Sequence, residues 1–406
     1  MKRVFLYSIL AAWMAMAACA TDNVSGPEFP PASQRGDIVT TRMVNLFSRD
    51  VIRSILDETA GADLSADSDL TIEYSVKVVE IDYLTCLPNG ETAPASGALM
   101  IPRESAEALP LVSLQHGTQS KRDLTASVHP LNSPEGATGL IMSGTGYCVA
   151  VPDYLGFGVS EIMHPYFDRQ SLTESVIDFL RAARSYCASE GIELNGELFL
   201  AGYSEGGYAT LAVQQALETA HADEFTITAS APMGGPYDFE ETITRVFSMG
   251  NYPDLVYVGY VFASFNHYHG WNRLNQIFRS PYAERVAYLY DGNYEWGEIA
   301  AQLPGALSQL MKTEFIQGIV QETDTITLNA LRNNSLLDRI PIAPLHFFHG
   351  EADSIVPLFN AQNAYAVFSQ GGANVELTVY QGLDHESAGL PCIMGMIEWF
   401  GQLRTK

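Results

Sequence analysis

Short apolar runs that alternate with helical patterns constrain this chain more than any other feature of its sequence. Runs typical of buried strands occupy residues 109–115, 147–152, 198–201, 225–229, 345–348 and 375–380. Helical patterns lie among them at residues 172–189, 206–221, 358–368 and 391–402. This alternation predicts an α/β fold, with a mostly parallel sheet flanked by helices on both faces. Two earlier extended segments, 71–85 and 96–101, have no helical pattern between them, so we expect that pair to be antiparallel.

The alternation stops between residues 237 and 340. This segment has a mainly helical pattern and holds 17 of the chain's 43 aromatic residues. Aromatic residues on helices most often form core, but a helical insertion between two strands can also cover the carboxyl edge of a sheet, where ligands bind. The predicted organisation is therefore a core of residues 41–236 and 341–406, with a helical cap or lid insertion at 237–340.

The first 19 residues have the pattern of an export signal. A basic start precedes an apolar stretch, residues 4–18, that is too short to span a bilayer. Cys19 lies between two alanines, as in a peptidase site that would release a secreted protein. Residues 16–19 also resemble a bacterial lipobox, which would leave Cys19 lipid-modified, and this second interpretation is favoured. We expect residues 20–40 to be a flexible tether, and the protein to be a membrane lipoprotein facing the periplasm or cell surface, or otherwise secreted.

An excess of acidic residues excludes some partners. The 22 Lys and Arg residues against 47 Asp and Glu residues give a net charge of −25. Basic runs never exceed two residues, so the sequence lacks the clusters that bind nucleic-acid phosphates. No metal site is predicted, because there is no C-x-x-C motif or His/Cys cluster. The four cysteines beyond the signal are compatible with buried thiols or with two disulfides: Cys86, Cys148, Cys187 and Cys392.

The sharpest motif is Gly202-Tyr203-Ser204-Glu205-Gly206, which follows a predicted strand and opens the next helix. In such a nucleophile elbow the turn is so tight that only glycine fits two residues either side of the serine, whose hydroxyl stands above the sheet. The N–H of Glu205 would then point at the position of a substrate oxyanion, near the positive end of the helix dipole. Ser204 is therefore the predicted nucleophile.

A serine hydroxyl becomes a strong nucleophile only with a base and a carboxylate to support it. Of the nine histidines, His385 is the best placed base, because it lies between the last predicted strand and the last helix. Asp353 follows the preceding strand and lies at the mouth of the sheet, with Glu351 as the rival carboxylate. The other histidines singled out are predicted to be structural or surface residues: His116, His346, His349, His267 and His269.

The loop after the strand at 109–115 is the expected source of a second oxyanion donor. It reads Gln115-His116-Gly117-Thr118. Gly117 lets the backbone turn beneath a substrate carbonyl, and the N–H of Thr118 or of Gly117 itself would then donate to the oxyanion. The Thr118 hydroxyl could assist.

With these motifs the chain resembles the α/β-hydrolase superfamily, in particular secreted lipases and esterases of the Candida-type secretory lipase group and their bacterial relatives. The resemblance spans about residues 71–400, and the order Ser204, Asp353, His385 is the one expected of that superfamily. The matching motifs are Gln115-His116-Gly117-Thr118, Pro152-Asp153-Tyr154-Leu155-Gly156, residues 202–207, Gly350-Glu351-Ala352-Asp353 and Asp384-His385. The resemblance places Asp153 near the site, and we interpret it as shaping its loop.

The reaction predicted from these residues is hydrolysis of a carboxylic ester through an acyl-enzyme, without a cofactor. The expected substrate is a small-molecule, lipid or glycan ester, and a membrane contact is expected only through a lipid on Cys19. A serine peptidase on the same fold is the first alternative, although no acidic cluster in the insertion favours it. A non-catalytic tethered protein that binds lipid or glycan is the second, and the joint presence of all three triad residues argues against it.

Overall fold

A nine-stranded sheet forms the frame of the molecule. The structure, a computed structural model, describes residues 34–67 and 70–405. The strands are β1 (Ile38–Phe47), β2 (Val76–Cys86), β3 (Thr92–Pro102), β4 (Leu109–Gln115), β5 (Cys148–Pro152), β6 (Leu194–Tyr203), β7 (Ala229–Met233), β8 (Leu345–Gly350) and β9 (Val375–Tyr380). The predicted signal at 1–19 and most of the predicted tether lie outside the described residues. Strand β1 begins at Ile38, so the last residues of the predicted tether, which was expected to end at residue 40, belong to a strand.

The sheet is antiparallel at one side and parallel through the rest. Its strand order is β1-β2-β3-β5-β4-β6-β7-β8-β9. The pairs β1/β2, β2/β3 and β3/β5 are antiparallel, as expected for the two early segments, and every later pair is parallel. The strands β4, β5 and β7 are buried throughout, because helices cover both faces of a parallel sheet.

Helices of the core form one layer on each side of this sheet. They are α1 (Arg49–Asp67), α2 (Pro134–Gly144), α3 (Arg169–Ser189), α4 (Glu205–Leu217), α13 (Phe359–Gln370) and α14 (Gly389–Leu403). Side chains of α3, α4 and α13 belong to one apolar cluster, whereas those of α1, α2 and α14 belong to a second. The predicted α/β fold with helices on both faces is thus confirmed.

The segment between β7 and β8 contains eight helices. They are α5 (Phe239–Met249), α6 (Leu255–Tyr268), α7 (Leu274–Ile277), α8 (Val286–Leu289), α9 (Trp296–Ala300), α10 (Leu307–Leu310), α11 (Thr313–Val320) and α12 (Thr325–Asn333). Most of its aromatic rings are core: Tyr260 stacks between Tyr166 and Tyr290, with ring centroids 4.3 and 4.6 Å away. A smaller group faces the site described below.

Several elements differ from the sequence-based expectation. The strand predicted at 225–229 is wrong, because β7 starts at Ala229 and the N–H of Phe225 instead closes a turn onto His221 O. The strand predicted from residue 71 starts at Val76. Helix α2 was not predicted, since it contains three glycines and glycine has low helix propensity; its burial against the sheet stabilises it instead.

The four cysteines of the described chain are thiols. The Sγ atoms of Cys148 and Cys187 lie 3.9 Å apart in the core, and their hydrogen bond together with burial raises the pKa of Cys148. Of the two states that the sequence left open, the structure therefore has the reduced one. Among the helices of residues 34–67 and 70–405, none is long and apolar enough to cross a membrane.

Candidate active site

Ser204 occupies the turn between β6 and α4. Its backbone has φ +59° and ψ −119°, a conformation that costs a non-glycine residue energy and is typical of functional sites. A Cβ at Gly202 would lie 2.5 Å from Gly206 O, and one at Gly206 would lie 2.1 Å from Gln115 O. Both glycines of the elbow are therefore required by close backbone approach, as the motif predicts.

The structure brings Ser204, His385 and Asp353 together at the carboxyl ends of three strands. His385 Nε2 lies 2.9 Å from Ser204 Oγ, and His385 Nδ1 lies 2.6 Å from Asp353 Oδ2. Because an ionised carboxylate only accepts, Nδ1 carries the proton and Nε2 is free to accept the serine proton. All three side chains are buried, which strengthens electrostatic interactions among them.

Asp353 is held ionised by its surroundings. Its Oδ1 accepts hydrogen bonds from the N–H groups of Ile355 and Val356. Burial alone would raise the pKa of Asp353, but hydrogen bonds from His349 and His385 outweigh it and hold the pKa below its usual range. The Nε2 of His349, 3.4 Å from Asp353 Oδ2, also donates to Val356 O. His349 is thus a support for the carboxylate, a role that sequence reasoning missed.

The remaining candidates occupy other positions. Glu351, the rival carboxylate, is exposed and accepts a hydrogen bond from the N–H of Gly382 instead of contacting His385. His116 is buried with its ring nitrogens facing Gly117 O and Asp153 O. Asp153 is buried and accepts hydrogen bonds from two serine hydroxyls, Ser96 and Ser127. Both residues therefore fix the loops around the site.

Two N–H groups are candidates for the predicted oxyanion donors. Glu205 is the first residue of α4, where an N–H has no acceptor within the helix. In the other loop, the N–H of Gly117 donates to Glu135 Oε1 at 2.9 Å, whereas the N–H of Thr118 has no acceptor among the described residues. Of the two alternatives, Thr118 is therefore the available donor. Its hydroxyl is bonded to Tyr166 at 2.8 Å.

Glu135 holds the loop of the predicted oxyanion donor Thr118 (the oxyanion loop), a contact that no sequence motif indicated. It lies in the first turn of α2, where the helix dipole favours a carboxylate. Besides binding Gly117, its Oε2 accepts from the hydroxyl of Ser133, the N-cap residue, at 3.0 Å. The Ser-Pro-Glu sequence at 133–135 is an N-cap signal in the sequence, but nothing in it indicates the contact with the distant loop.

A second buried pair fixes the start of α4. Glu205 Oε1 lies 2.7 Å from His164 Nε2, and His164 Nδ1 lies 2.7 Å from Leu155 O. Tyr203 adds a third anchor, since its hydroxyl donates to the backbone oxygen of His385 at 2.6 Å. These contacts join the elbow to neighbouring loops. They were not predicted, because each joins residues that are far apart in the sequence.

Two cavities meet at Ser204. An open groove of about 700 Å³ is lined by residues of α1, α2 and α14 together with Thr118 and His385. A narrow pocket of about 40 Å³ lies beneath α5 and α6 and is lined almost entirely by carbon. Of the described residues, Ser204 and Tyr257 line both. Among the described residues, no cluster of His, Cys, Asp or Glu could hold a metal ion.

Comparisons with known proteins agree with this architecture. The family model described as Secretory lipase matches residues 140–401, more than half of the chain. An esterase LipA of Xanthomonas oryzae, described as degrading rice cell walls, is 27% identical with a TM-score of 0.83 over 92% of this chain and 100% of that one. A Legionella pneumophila protein described as a hydrolase is 29% identical, with a TM-score of 0.83 over 90% and 98%.

Candida antarctica lipase A shares the fold, with a TM-score of 0.68 and 16% identity over 92% of this chain and 84% of that one. A search of curated protein sequences found no match. The family's description as secretory points to export. From the family match and the two bacterial structures, the chain belongs to the secretory lipase family and is a carboxylic ester hydrolase.

Proposed function

We propose that this chain hydrolyses its esters as a serine hydrolase, through a covalent acyl-enzyme on Ser204. One observation carries the proposal: an unbroken hydrogen-bonded series from Asp353 through His385 to Ser204, at 2.6 and 2.9 Å, with Ser204 and His385 in the lining of an open groove. This is the arrangement that turns a neutral hydroxyl into a nucleophile.

In the first half of the reaction, Ser204 Oγ attacks the ester carbon while His385 Nε2 takes the hydroxyl proton. Asp353 holds the imidazole in the required tautomer and stabilises the imidazolium that forms. The alcohol oxygen leaves with that proton, and Ser204 keeps the acyl group as an ester. In the second half, water attacks the same carbon, His385 takes its proton, and Ser204 Oγ is released to recover it.

The N–H groups of Glu205 and Thr118 stabilise the negative oxygen of each tetrahedral intermediate. Donors of this kind contribute because they are already oriented before charge develops. Support comes from the contacts that fix both donors: Glu205 is paired to His164, and the Thr118 loop is held at Gly117 by Glu135.

Kinetics of matched variants test the proposal. With p-nitrophenyl butyrate, Ser204→Ala and His385→Ala are each expected to lower kcat by about 10⁴-fold or more. His349→Gln is the control, and it is expected to lose much less because Asp353 is the one triad residue that His349 is seen to contact in the described chain. A parallel amino-acyl anilide should be left intact. Wild-type rates in Ser204→Ala would contradict the serine mechanism, and faster cleavage of the anilide would favour a peptidase.

We propose further that the mature protein is exported and lipid-anchored through Cys19. The lipobox-like residues 16–19 and the proline-containing stretch after them support this, as does the family's description as secretory. In cells labelled with radioactive palmitate, the wild-type protein is expected to carry label in the membrane fraction. Cys19→Ala should carry none, and label that persists in it would contradict the proposed anchor.

A further inference from the structure

The two cavities at Ser204 differ in size and in chemistry. The groove measures about 700 Å³ and opens to solvent, whereas the pocket beneath α5 and α6 measures about 40 Å³. An ester has two parts, acyl and alcohol, which must extend in different directions from the carbon that Ser204 attacks. Each cavity therefore receives one of the two parts, the acyl chain or the alcohol.

The proton donor decides the assignment. When the tetrahedral intermediate collapses, the C–O bond to the alcohol breaks and the departing oxygen takes the proton from His385 Nε2. His385 lines the groove and is absent from the lining of the pocket. The alcohol must therefore leave on the groove side, which leaves the pocket for the acyl chain bonded to Ser204 Oγ.

The pocket is small and its lining is mostly apolar. Phe239, Ile243 and Val246 of α5 line one wall, and Val258 and Val261 of α6 line another. Two hydroxyls in its lining are engaged by protein partners: that of Tyr252 donates to Ile355 O at 2.9 Å, and that of Thr242 donates to Asp238 O at 2.7 Å. About 40 Å³ holds about three water-sized spheres, a volume comparable to that of an acyl chain of about two to four carbons.

The groove has room for a large alcohol but carries negative charge. Glu135 and Glu386 lie in its lining, and no Lys or Arg is found among the described residues there. Apolar side chains of α14, including Leu390 and Ile393, form the rest of one wall. Such a surface accommodates a bulky neutral alcohol and repels an anionic one.

Resting on the proposed function, we infer that the substrates are short-chain esters of bulky, uncharged alcohols, with the acyl group in the pocket beneath α5 and α6 and the alcohol in the groove. Ile243 then limits acyl length, and Ile393 contacts the alcohol. Because an isoleucine lines each cavity, Ile243→Ala and Ile393→Ala form a matched pair of truncations.

The acyl arm of the test uses p-nitrophenyl esters from acetate to palmitate. For the wild type, kcat/KM is expected to rise about fourfold per methylene up to butyrate and to fall at least tenfold by octanoate. Ile243→Ala should raise the octanoate-to-acetate ratio about tenfold, because the removed carbons leave room for two more methylenes. Ile243→Val, the milder variant, should shift the limit by about one carbon if Ile243→Ala fails to fold.

The alcohol arm compares butyrate esters of methanol and 1-naphthol, and of para-carboxyphenol and para-carbamoylphenol. Ile393→Ala is expected to alter the naphthyl-to-methyl ratio and to leave the acyl profile where it is. The carboxyphenyl ester should be cleaved more slowly than its neutral analogue, by a factor that shrinks at high salt.

The outcomes separate this inference from the function beneath it. Absence of all ester hydrolysis, or full activity in Ser204→Ala, would overturn the proposed function. Hydrolysis that depends on Ser204 but favours octanoate or palmitate would overturn only the inference. An acyl profile unchanged in both Ile243 variants, or shifted as much by Ile393→Ala, would also overturn it.

Discussion

The contact between Glu135 and the oxyanion loop makes a prediction that separates hydrogen bonding from charge. Glu135 Oε1 accepts from the N–H of Gly117 at 2.9 Å, and Oε2 accepts from the hydroxyl of Ser133 at 3.0 Å. In Glu135→Ala both acceptors are lost, and the loop that presents the N–H of Thr118 is released. In Glu135→Gln the amide oxygen still accepts from Gly117, so the loop stays in place.

The magnitude follows from what is displaced. Removal of one oxyanion donor costs about 10²–10³ in kcat, and Thr118 here is loosened but not removed. We therefore expect Glu135→Ala to lower kcat about 10- to 100-fold with KM within about threefold, since the loss affects the transition state more than the bound ester. Two lost hydrogen bonds also reduce the free energy of unfolding by about 1–2 kcal/mol.

The assay is steady-state hydrolysis of p-nitrophenyl butyrate by the wild type and both variants, with thermal unfolding measured beside it. Glu135→Gln is expected to keep kcat within about threefold of wild type, losing only a helix-dipole interaction of about 0.3–1 kcal/mol in stability. A normal kcat in Glu135→Ala together with reduced stability would refute the positioning role. An equal loss of kcat in both variants would show that the charge matters and the hydrogen bond does not.

Three further predictions follow from single contacts. Gly206→Ala places a Cβ 2.1 Å from Gln115 O. We therefore expect either a loss of folding, seen by circular dichroism, or a loss of activity of at least about 10²-fold. A variant with unchanged folding and activity would contradict the tight turn. Asp353→Asn should lower kcat about 10⁴-fold through the wrong His385 tautomer, and a small effect would contradict the hydrogen bond at 2.6 Å. Burial, with the nearby carboxylates of Glu80 and Asp153, raises the pKa of Asp82 to about 6. The ionised form of Asp82 is thus penalised in the folded state, and the penalty grows as pH rises from about 4 to 6. Asp82→Asn should therefore stabilise the protein at pH 7.5 by about 1 kcal/mol, after allowance for solvent screening, and should have little effect on stability at pH 4. Thermal unfolding at the two pH values measures this difference, and a larger stabilisation at pH 4 would contradict the buried, penalised carboxylate.

The parallel core could be predicted because burial on both faces leaves a strong signal in the sequence. Strands β4 and β9 start and end at the predicted residues. Strand β4 is the buried run that its sequence predicts, whereas β9, at the edge of the sheet, alternates apolar and polar residues and is only half-buried. Strand β1 was missed because several of its apolar side chains, Met43 and Leu46 among them, are exposed at the edge of the sheet. Its pairing with β2 is a tertiary contact that local pattern does not encode.

The site could be predicted where motif and strand end coincide. Ser204 has both, and His385 and Asp353 were found from their places after the last two strands. Glu135 and His164 could not be found this way, because each contacts a loop or helix distant in sequence: Glu135 reaches Gly117, and His164 reaches Glu205. The choice between Gly117 and Thr118 likewise needed the structure, since it depends on which N–H is already bonded.

Covalent labelling of Ser204 tests the central claim most directly. The wild-type protein, treated with a fluorophosphonate and digested, is examined by mass spectrometry while residual ester hydrolysis is followed in the same sample. We expect one adduct per chain, on the peptide that contains Ser204, formed in step with the loss of activity. Activity that survives complete labelling of Ser204, or is lost through an adduct on another residue, would contradict the account.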